Sequence, residues 1–226
     1  MATAATQKSL TIGDTTVGKK AALAVSGAVL FGFVLQHMVG NLQVFLGPEV
    51  FNNYAATMKS MGALVWTVRI VLLIALVTHV ALVVQLYKRS LAARPVGYRV
   101  KKNIATTYAA ATMKYSGPAL LLYIIFHLAH FTFPGLSLGD HQFSTLDVYG
   151  NFVAGFQLPW VTLLYVTANL LLGMHLFHGV YSLLQSLGLN HPRYNARAKQ
   201  GARAFAILIT AGNVIMPLSV LFGIIS

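Results

Sequence analysis

The sequence predicts an all-α integral membrane protein with five transmembrane helices, and three observations predict it. Of the 226 residues, 57% are hydrophobic and only 9% are charged, whereas soluble domains have about 25% charged residues. Five apolar runs are each long enough to supply the roughly 20 helical residues that cross a bilayer. The connectors between these runs carry most of the charge.

The predicted spans are 21–46, 64–87, 115–133, 159–187 and 204–225. Residues 1–20 form a polar N-terminal segment without the apolar core of a cleavable signal peptide. Residues 21–226 therefore make one membrane domain, in which we expect the first four spans to form a bundle.

The basic residues predict the orientation of these spans. Fourteen of the 16 Lys and Arg residues lie on the side of the N-terminus, and only Lys59 and Arg69 fall on the other side. Because connectors rich in Lys and Arg stay in the cytoplasm, we expect the N-terminus inside and the C-terminus outside. The net charge of +12 then reflects topology and not nucleic-acid binding. The basic segment 88–114 also suits a soluble partner or anionic lipid.

Histidine is the chemically distinctive residue of the predicted spans. The chain has no cysteine, which excludes thiolate metal sites and iron–sulfur clusters held by this chain. Ionisable residues at membrane depth are costly and usually functional. A single one could simply bond to a neighbouring helix, but six, distributed over four spans, favour a function. They are His37, His79, His127, His130, His175 and His178.

Depth arranges four of these histidines in two pairs. With the α-helical rise of about 1.5 Å per residue, His37 and His127 lie about 15 Å and 10 Å from the outer ends of their spans. His79 and His175 lie about 20 Å and 22 Å from those ends. The outer pair and the inner pair therefore predict two stacked bis-histidine sites in a four-helix bundle. Imidazole is a common axial ligand of haem iron, so the pattern predicts two haems of b type.

The first and third spans repeat a Ser-Gly pair, and in each the serine precedes the outer histidine by 11 residues. Eleven residues are close to three helical turns, so each pair shares the histidine's face about 16 Å away, at the inner level. There the glycine could admit a flat macrocycle and the serine could bond a haem propionate. Ordinary packing of small residues between helices is the alternative. The pairs are Ser26 with Gly27 and Ser116 with Gly117.

The remaining polar candidates have more than one interpretation. His130 and His178 each follow a predicted ligand by three residues and are alternative ligands, propionate or quinone partners, or packing groups. Tyrosines and the two tryptophans near span ends, Trp66 and Trp160, fit the aromatic belt. Basic residues near the spans are further candidates for haem propionates: Lys20, Lys114 and Arg69.

With these residues in view, the whole chain resembles the cytochrome b subunit of succinate:quinone oxidoreductases and quinol:fumarate reductases. It resembles most the five-helix, two-haem type that works with menaquinone. The matching elements are Gln36-His37, His79, the stretch from Lys114-x-Ser116-Gly117 to His127, and His175-x-x-x-Gly179-x-Tyr181-Ser182. The family pattern favours His127 over His130 and His175 over His178 as ligands.

The resemblance implies a membrane anchor in the cytoplasmic (inner) membrane of a prokaryote, with a role in respiration and the tricarboxylic acid cycle. A flavoprotein subunit with FAD and an iron–sulfur subunit would dock on the cytoplasmic face, and the complex could dimerise. Electrons would pass through the inner and outer haems to or from a quinone, with menaquinone as the expected species. Succinate or fumarate chemistry would belong to the partner subunits.

The sequence departs from the family pattern in its acidic residues. Some relatives use a carboxylate near the outer haem or a glutamate in the fourth span for proton movement, but the fourth span here has neither Asp nor Glu. Weaker candidates for quinone-linked proton transfer are Glu49, Lys59 and His141.

Three other classes of protein compete with this interpretation. The cytochrome b anchor of a hydrogenase or formate dehydrogenase is one. A histidine-lined transporter is another, but it should show acidic partners or broken helices. No acidic residue lies in a predicted span, and Pro118, Pro159 and Pro217 are expected at or near span ends. A structural anchor without haem would leave the six histidines unexplained.

Overall fold

A computed structural model describes residues 11–94, 96–97, 99–100, 106–132, 138 and 141–226. Within these ranges the chain forms helices and no strand. The α-helices in chain order are α1 (Thr16–Asn41), α2 (Pro48–Ser60), α3 (Gly62–Ala92), α4 (Tyr108–Phe131), α5 (Val148–Gln157), α6 (Pro159–Ser186) and α7 (Asn195–Leu221). Short 3-10 helices cover Ile12–Asp14 and Leu42–Leu46.

Five of these helices, α1, α3, α4, α6 and α7, are long and apolar enough to cross a membrane. This confirms the predicted all-α membrane fold. The boundaries differ mainly at the polar ends, since α4 begins at residue 108 and α7 at residue 195, several residues before the predicted spans. Apolarity marks the part of a helix that lies in lipid, whereas the helix itself continues into the polar region beyond. The predicted end of the third span, residue 133, lies outside the described residues.

One proline lies elsewhere than the sequence predicts. Pro118 is inside α4, ten residues after the start of the helix, and not at or near an end. The helix continues through it, which membrane helices tolerate because neighbouring helices and side chains can satisfy the freed backbone groups. Pro217 also lies inside its helix, α7, within its last turns.

The two short helices α2 and α5 lie in connectors for which no helix was predicted. Their ends carry ordinary helix-start residues. Pro48 occupies the first position of α2, where its missing N–H costs nothing. The Asp147 side chain caps α5 by accepting a hydrogen bond from the Gly150 N–H at 2.9 Å. The described residues of both connectors therefore include a short helix.

Contacts between helix ends define two sides of the molecule. Lys19 near the start of α1 bonds to Gln85 near the end of α3, so these helices are antiparallel. We call the side on which α1 begins the N side and the opposite side the C side. The helices α2 and α5 lie on the C side, where the Tyr149 hydroxyl donates to the carbonyl of Ser226.

Four spanning helices form a bundle with a definite order. The main packing runs from α3 to α1, from α1 to α6, and from α6 to α4, while α7 packs on the outside against α6 and α1. Consequently α1 lies diagonally across the bundle from α4, and α3 lies diagonally across from α6. Small residues allow the close approach of α7. A Cβ atom at Gly173 of α6 would collide with Thr210, and one at Gly212 would collide with Met38.

The best-packed core lies toward the C side. Side chains from α2, α5, α6 and α7 meet there in one cluster, which is rich in aromatic rings. A smaller cluster joins α1, α6 and α7 deeper in the bundle. The buried members of the C-side cluster are Val44, Phe51, Phe152, Val153, Phe156, Val161, Tyr165, Met216, Val220 and Ile225.

Candidate functional site

Four histidines meet in two pairs across the diagonals of the bundle. His37 of α1 and His127 of α4 have ring centroids 5.7 Å apart. His79 of α3 and His175 of α6 have ring centroids 6.3 Å apart. We call them the C-side pair and the N-side pair. Each pair joins helices that do not otherwise form the main packing contacts, so the rings face each other across the centre of the bundle.

The separation of the rings suits a metal ion between them. Nitrogen ligands lie about 2 Å from a transition metal, and a ring nitrogen lies about 1 Å from its centroid, so a bridged pair of imidazoles has centroids about 6 Å apart. The observed 6.3 Å and 5.7 Å both fall close to this value. Both distances therefore leave room for a metal ion between the two rings.

Each pair brings two imidazoles together. Among the residues that the structure describes, no group of three or more His, Cys, Asp or Glu side chains could hold a metal ion. Two facing imidazoles without a third protein ligand match the axial positions of a haem, whose macrocycle supplies the other four nitrogens. The residues therefore fit haem b better than a zinc site, which takes four ligands in structural sites and three in catalytic sites.

An apolar cleft lies on the remaining flank of the bundle, between α3 and α4. Its volume is about 330 Å³ and it is lined only by apolar side chains. Its α3 residues flank His79 in the sequence, and a flat apolar group could enter between the helices there. The lining residues are Leu76, Val77, Val80, Ala81 and Leu121.

The two predicted Ser-Gly pairs lie beside the N-side histidines. The Ser26 hydroxyl is 3.4 Å from Nδ1 of His79, and the Ser116 hydroxyl is 3.5 Å from Nδ1 of His175. A Cβ atom at Gly27 would lie 3.4 Å from the His79 ring. The serines thus contact ring nitrogens of the histidines, whereas the sequence predicted that they could bond a haem propionate.

The second glycine of the repeat, Gly117, has a different environment. A Cβ atom built on it would have no heavy atom within 4 Å. The two serines of the repeat therefore make the same kind of contact with a histidine, whereas only one of the two glycines lies next to a histidine ring.

Polar partners of the C-side pair come from α6 and α1. The Tyr165 hydroxyl lies 3.2 Å from Nδ1 of His127 and 3.0 Å from Nδ1 of His130. The Asn41 amide nitrogen lies 3.0 Å from Nε2 of His37. Ligation through Nε2 of His37 would therefore require the Asn41 side chain to release this nitrogen.

The two ambiguous histidines occupy different positions from the paired ones. His130 is buried and packs against Phe131 and Phe156, while His127 faces His37. On α6, His175 faces His79, and His178 lies about one turn further along and is half-buried. On α4 and on α6, therefore, one histidine faces a histidine of another helix and the second does not.

The basic candidates for propionates lie on exposed surface. Lys20 and Lys114 are exposed near the N-side ends of their helices, and the Lys114 ammonium lies 4.7 Å from the centre of the Tyr115 ring. Arg69 lies on the C side, with its guanidinium 5.1 Å from the centre of the Trp66 ring. Trp66 is itself exposed, as an aromatic-belt residue should be.

The weaker proton-transfer candidates belong to the C-side connectors. Glu49 is exposed in the first turn of α2. Lys59 bonds to the backbone carbonyl of Thr145. His141 is exposed, but its Nε2 lies 3.1 Å from Oδ1 of Asn151, and it lines a small cavity with His130. Of the three, His141 alone approaches the buried histidines.

Tyr165 is a site residue that was not among those predicted. Tyrosines near span ends are expected in the aromatic belt, but Tyr165 is only 4% exposed and bonds to two histidines. A signal was available, because Tyr165 and Asn169 are polar residues four apart on a helix face. Asn169 is also buried, and its amide donates to the Tyr165 carbonyl.

Comparison with known proteins identifies the family. The model of the succinate dehydrogenase/fumarate reductase transmembrane subunit matches residues 85–215, which is more than half of the chain. The chain belongs to this family. No curated protein and no solved structure matches the chain. The matched region contains His127 and His175, whereas His37 and His79 precede it.

As a member of the succinate dehydrogenase/fumarate reductase transmembrane subunit family, the chain is a multi-pass membrane subunit of that enzyme complex. The family implies that it associates with the other subunits of the complex. The resemblance in the sequence is confirmed at this level, and the match does not support a hydrogenase anchor, a formate dehydrogenase anchor or a transporter. The haems, the quinone and the path of electrons stay predictions.

Proposed function

We propose that this chain is the two-haem cytochrome b anchor of a succinate:quinone oxidoreductase in a prokaryotic cytoplasmic membrane. It passes electrons between an iron–sulfur partner and a membrane quinone, with menaquinone as the expected species. The observation that supports this function is the pairing of four histidines across both diagonals of one bundle. The family assignment supplies the enzyme complex.

Each histidine has a definite part in this proposal. His79 and His175 would hold the inner haem b, and His37 and His127 would hold the outer haem b. Haem b supplies reversible one-electron transfer at its iron. The chain itself positions the four imidazoles, excludes water with apolar side chains, and keeps the two sites at separate depths.

The separation in depth follows from α1. Ser26 contacts His79 at the N-side level, and His37 lies 11 residues further along the same helix at the C-side level. Eleven helical residues correspond to about 16 Å, roughly half of the hydrocarbon thickness of about 30 Å. Two sites at this spacing would place one in each half of the membrane.

The N side suits the soluble partners. Its described surface is basic, with Lys19, Lys20, Lys88 and Arg89 at the ends of α1 and α3. Positive charge of this kind favours the cytoplasmic orientation and could bind an acidic iron–sulfur subunit or anionic lipid. The flavoprotein subunit with FAD would then lie beyond the iron–sulfur subunit. Dimerisation of the whole complex is compatible with this arrangement.

The first test is spectroscopic. The intact complex is extracted in detergent, haem b is quantified per chain, and an absorbance difference spectrum is recorded after addition of succinate. We expect two haems b per chain, at least partly reduced by succinate. Two haems that only dithionite reduces would contradict the succinate link, and the absence of haem would overturn the proposal.

Two variants on α6 make the ligand assignment specific. His175→Ala should remove one haem per chain, because it removes half of the N-side pair. His178→Ala is the matched control, since it deletes the same side chain about one turn away, and it should retain both haems. The reverse result would assign His178 as the ligand and contradict the pairing proposed here.

A further inference from the structure

We propose that Tyr165 and His130 are positioning residues for His127, joined to it in a hydrogen-bond chain that ends at a water site near His141. The inference rests on the proposed function, because it takes His127 as an iron ligand. It assigns a role to His130, which the ligand pairs leave without one, and to Tyr165.

The Tyr165 hydroxyl is the central group of this hydrogen-bond chain. This oxygen lies between two imidazoles, 3.2 Å from Nδ1 of His127 and 3.0 Å from Nδ1 of His130. A phenol has one proton to donate. It can therefore donate to one of the two histidines and accept from the other, which couples the proton positions on both rings.

Ligation at His127 fixes the direction of these bonds. If Nε2 of His127 binds iron, its Nδ1 carries the proton and donates to the Tyr165 oxygen. The Tyr165 hydroxyl then donates to Nδ1 of His130, and the proton of neutral His130 must be on Nε2. All three groups remain neutral, so the arrangement needs no charge in the buried region.

The hydrogen-bond chain ends at His130, which lines a small cavity on the C side. His130 lines this cavity of about 20 Å³ together with His141, Asn151 and Gly155. A cavity of this volume can hold one water molecule. That water would accept the Nε2–H of His130, and the side chains of His141 and Asn151 supply further polar partners.

Gly155 keeps the His130 end of the chain free. A Cβ atom at this position would lie 2.9 Å from both Cε1 and Nε2 of His130. That distance is too short, so any larger residue would move the ring or block its Nε2. Glycine therefore allows both the position of His130 and access to the cavity.

The expected consequence concerns the outer site. A hydrogen bond from the free ring nitrogen of a ligating histidine fixes the orientation of the ring and raises its basicity as a ligand. A more basic ligand stabilises the oxidised iron. The bond to Tyr165 should therefore lower the midpoint potential of the outer haem and leave the inner haem unchanged.

The test is a redox titration of the intact complex, followed by optical and low-temperature electron paramagnetic resonance spectra. The His37→Ala variant identifies the outer haem as the component that it removes. In Tyr165→Phe we expect both haems to remain, with the outer component shifted to higher potential and its low-spin signal altered. His130→Phe removes the next acceptor and should shift the same component in the same direction, by less.

The matched control is Tyr123→Phe. The Tyr123 ring lies 5.9 Å from His127 and 5.2 Å from Tyr165, but its hydroxyl bonds to Asn169. This variant removes a hydroxyl from the same aromatic cluster and should leave the outer component unshifted.

The possible results distinguish this inference from the proposed function. A wild-type complex without haem contradicts the proposed function itself. Two haems in the wild type with no shift in Tyr165→Phe and His130→Phe overturn only the positioning role. An equal shift in Tyr123→Phe also overturns it, because general packing would then explain the change. If Tyr165→Phe fails to assemble, the result for His130→Phe decides.

Discussion

The Ser26 hydroxyl lies 3.4 Å from Nδ1 of His79, and its oxygen is also 3.0 Å from the carbonyl of Leu23. Because the carbonyl can only accept, the serine proton is directed to Leu23, and the serine oxygen is free to accept the Nδ1–H of His79. The His79 ring also bonds to the Leu23 carbonyl. In the tautomer with the proton on Nδ1, Nε2 of His79 is unprotonated, which is the form of histidine that binds a metal.

We expect Ser26→Ala to weaken the inner site without unfolding the protein. Loss of an outer hydrogen-bond partner typically costs a metal site about tenfold or more in affinity. The measurement is the rate at which the purified complex loses haem b to an excess of a haem-scavenging protein. Ser219→Ala is the control, since Ser219 is a buried helical serine that bonds to the Ile215 carbonyl and contacts no histidine pair. Equal rates in both variants would contradict the role of Ser26.

Asn41→Ala should have the opposite effect at the outer site. The Asn41 amide lies 3.0 Å from Nε2 of His37, so it competes for the nitrogen that an iron would take. A neutral hydrogen bond contributes about 0.5–1.5 kcal/mol, and its removal should strengthen haem retention by up to about tenfold. The same haem-loss assay measures this. Faster loss from Asn41→Ala would show that Asn41 supports the site instead.

The fold and the pairing of the histidines could be predicted because both follow from periodicity along single helices. Apolar length located the five spans, and the rise of an α-helix placed His37 level with His127 and His79 level with His175. The structure brings each of these pairs together. The two short helices could not be predicted in this way, because α2 and α5 are not long apolar runs.

The partners of the histidines were less predictable, because they depend on the rotation of each helix about its axis. From the sequence, Tyr165 is expected in the aromatic belt, but the rotation of α6 directs its side chain toward His127 and His130. The serines were placed at the correct depth, but their contact with ring nitrogens depends on which helices are neighbours. The close approach of α6 and α7 likewise depends on a small residue, Gly173, which sequence periodicity does not reveal.

Gly173→Ala should destabilise the packing of α6 against α7. A Cβ atom there would collide with Oγ1 of Thr210, and this hydroxyl is held by a bond to the Ala206 carbonyl. Overpacking of this kind costs about 1–3 kcal/mol. The measurement is the thermal unfolding midpoint in detergent. Gly201→Ala in α7 is the control, because a Cβ atom there meets nothing within 4 Å. A midpoint for Gly173→Ala at or above that of the wild type would contradict the close approach.

The C-side connectors should lose stability in acid through Asp147. Its carboxylate accepts hydrogen bonds from the Gly150 N–H and the Asn52 amide, and these bonds lower the pKa of Asp147 below its ordinary 3.8. A lowered pKa in the folded state means that the stabilisation is present above the ordinary pKa and is lost as the pH falls through the lowered value. We therefore expect the unfolding midpoint of the wild type to fall between about pH 5 and about pH 3 more steeply than that of Asp147→Asn. Asparagine still caps a helix but does not titrate, so identical pH profiles for the two proteins would show that Asp147 carries none of this acid sensitivity.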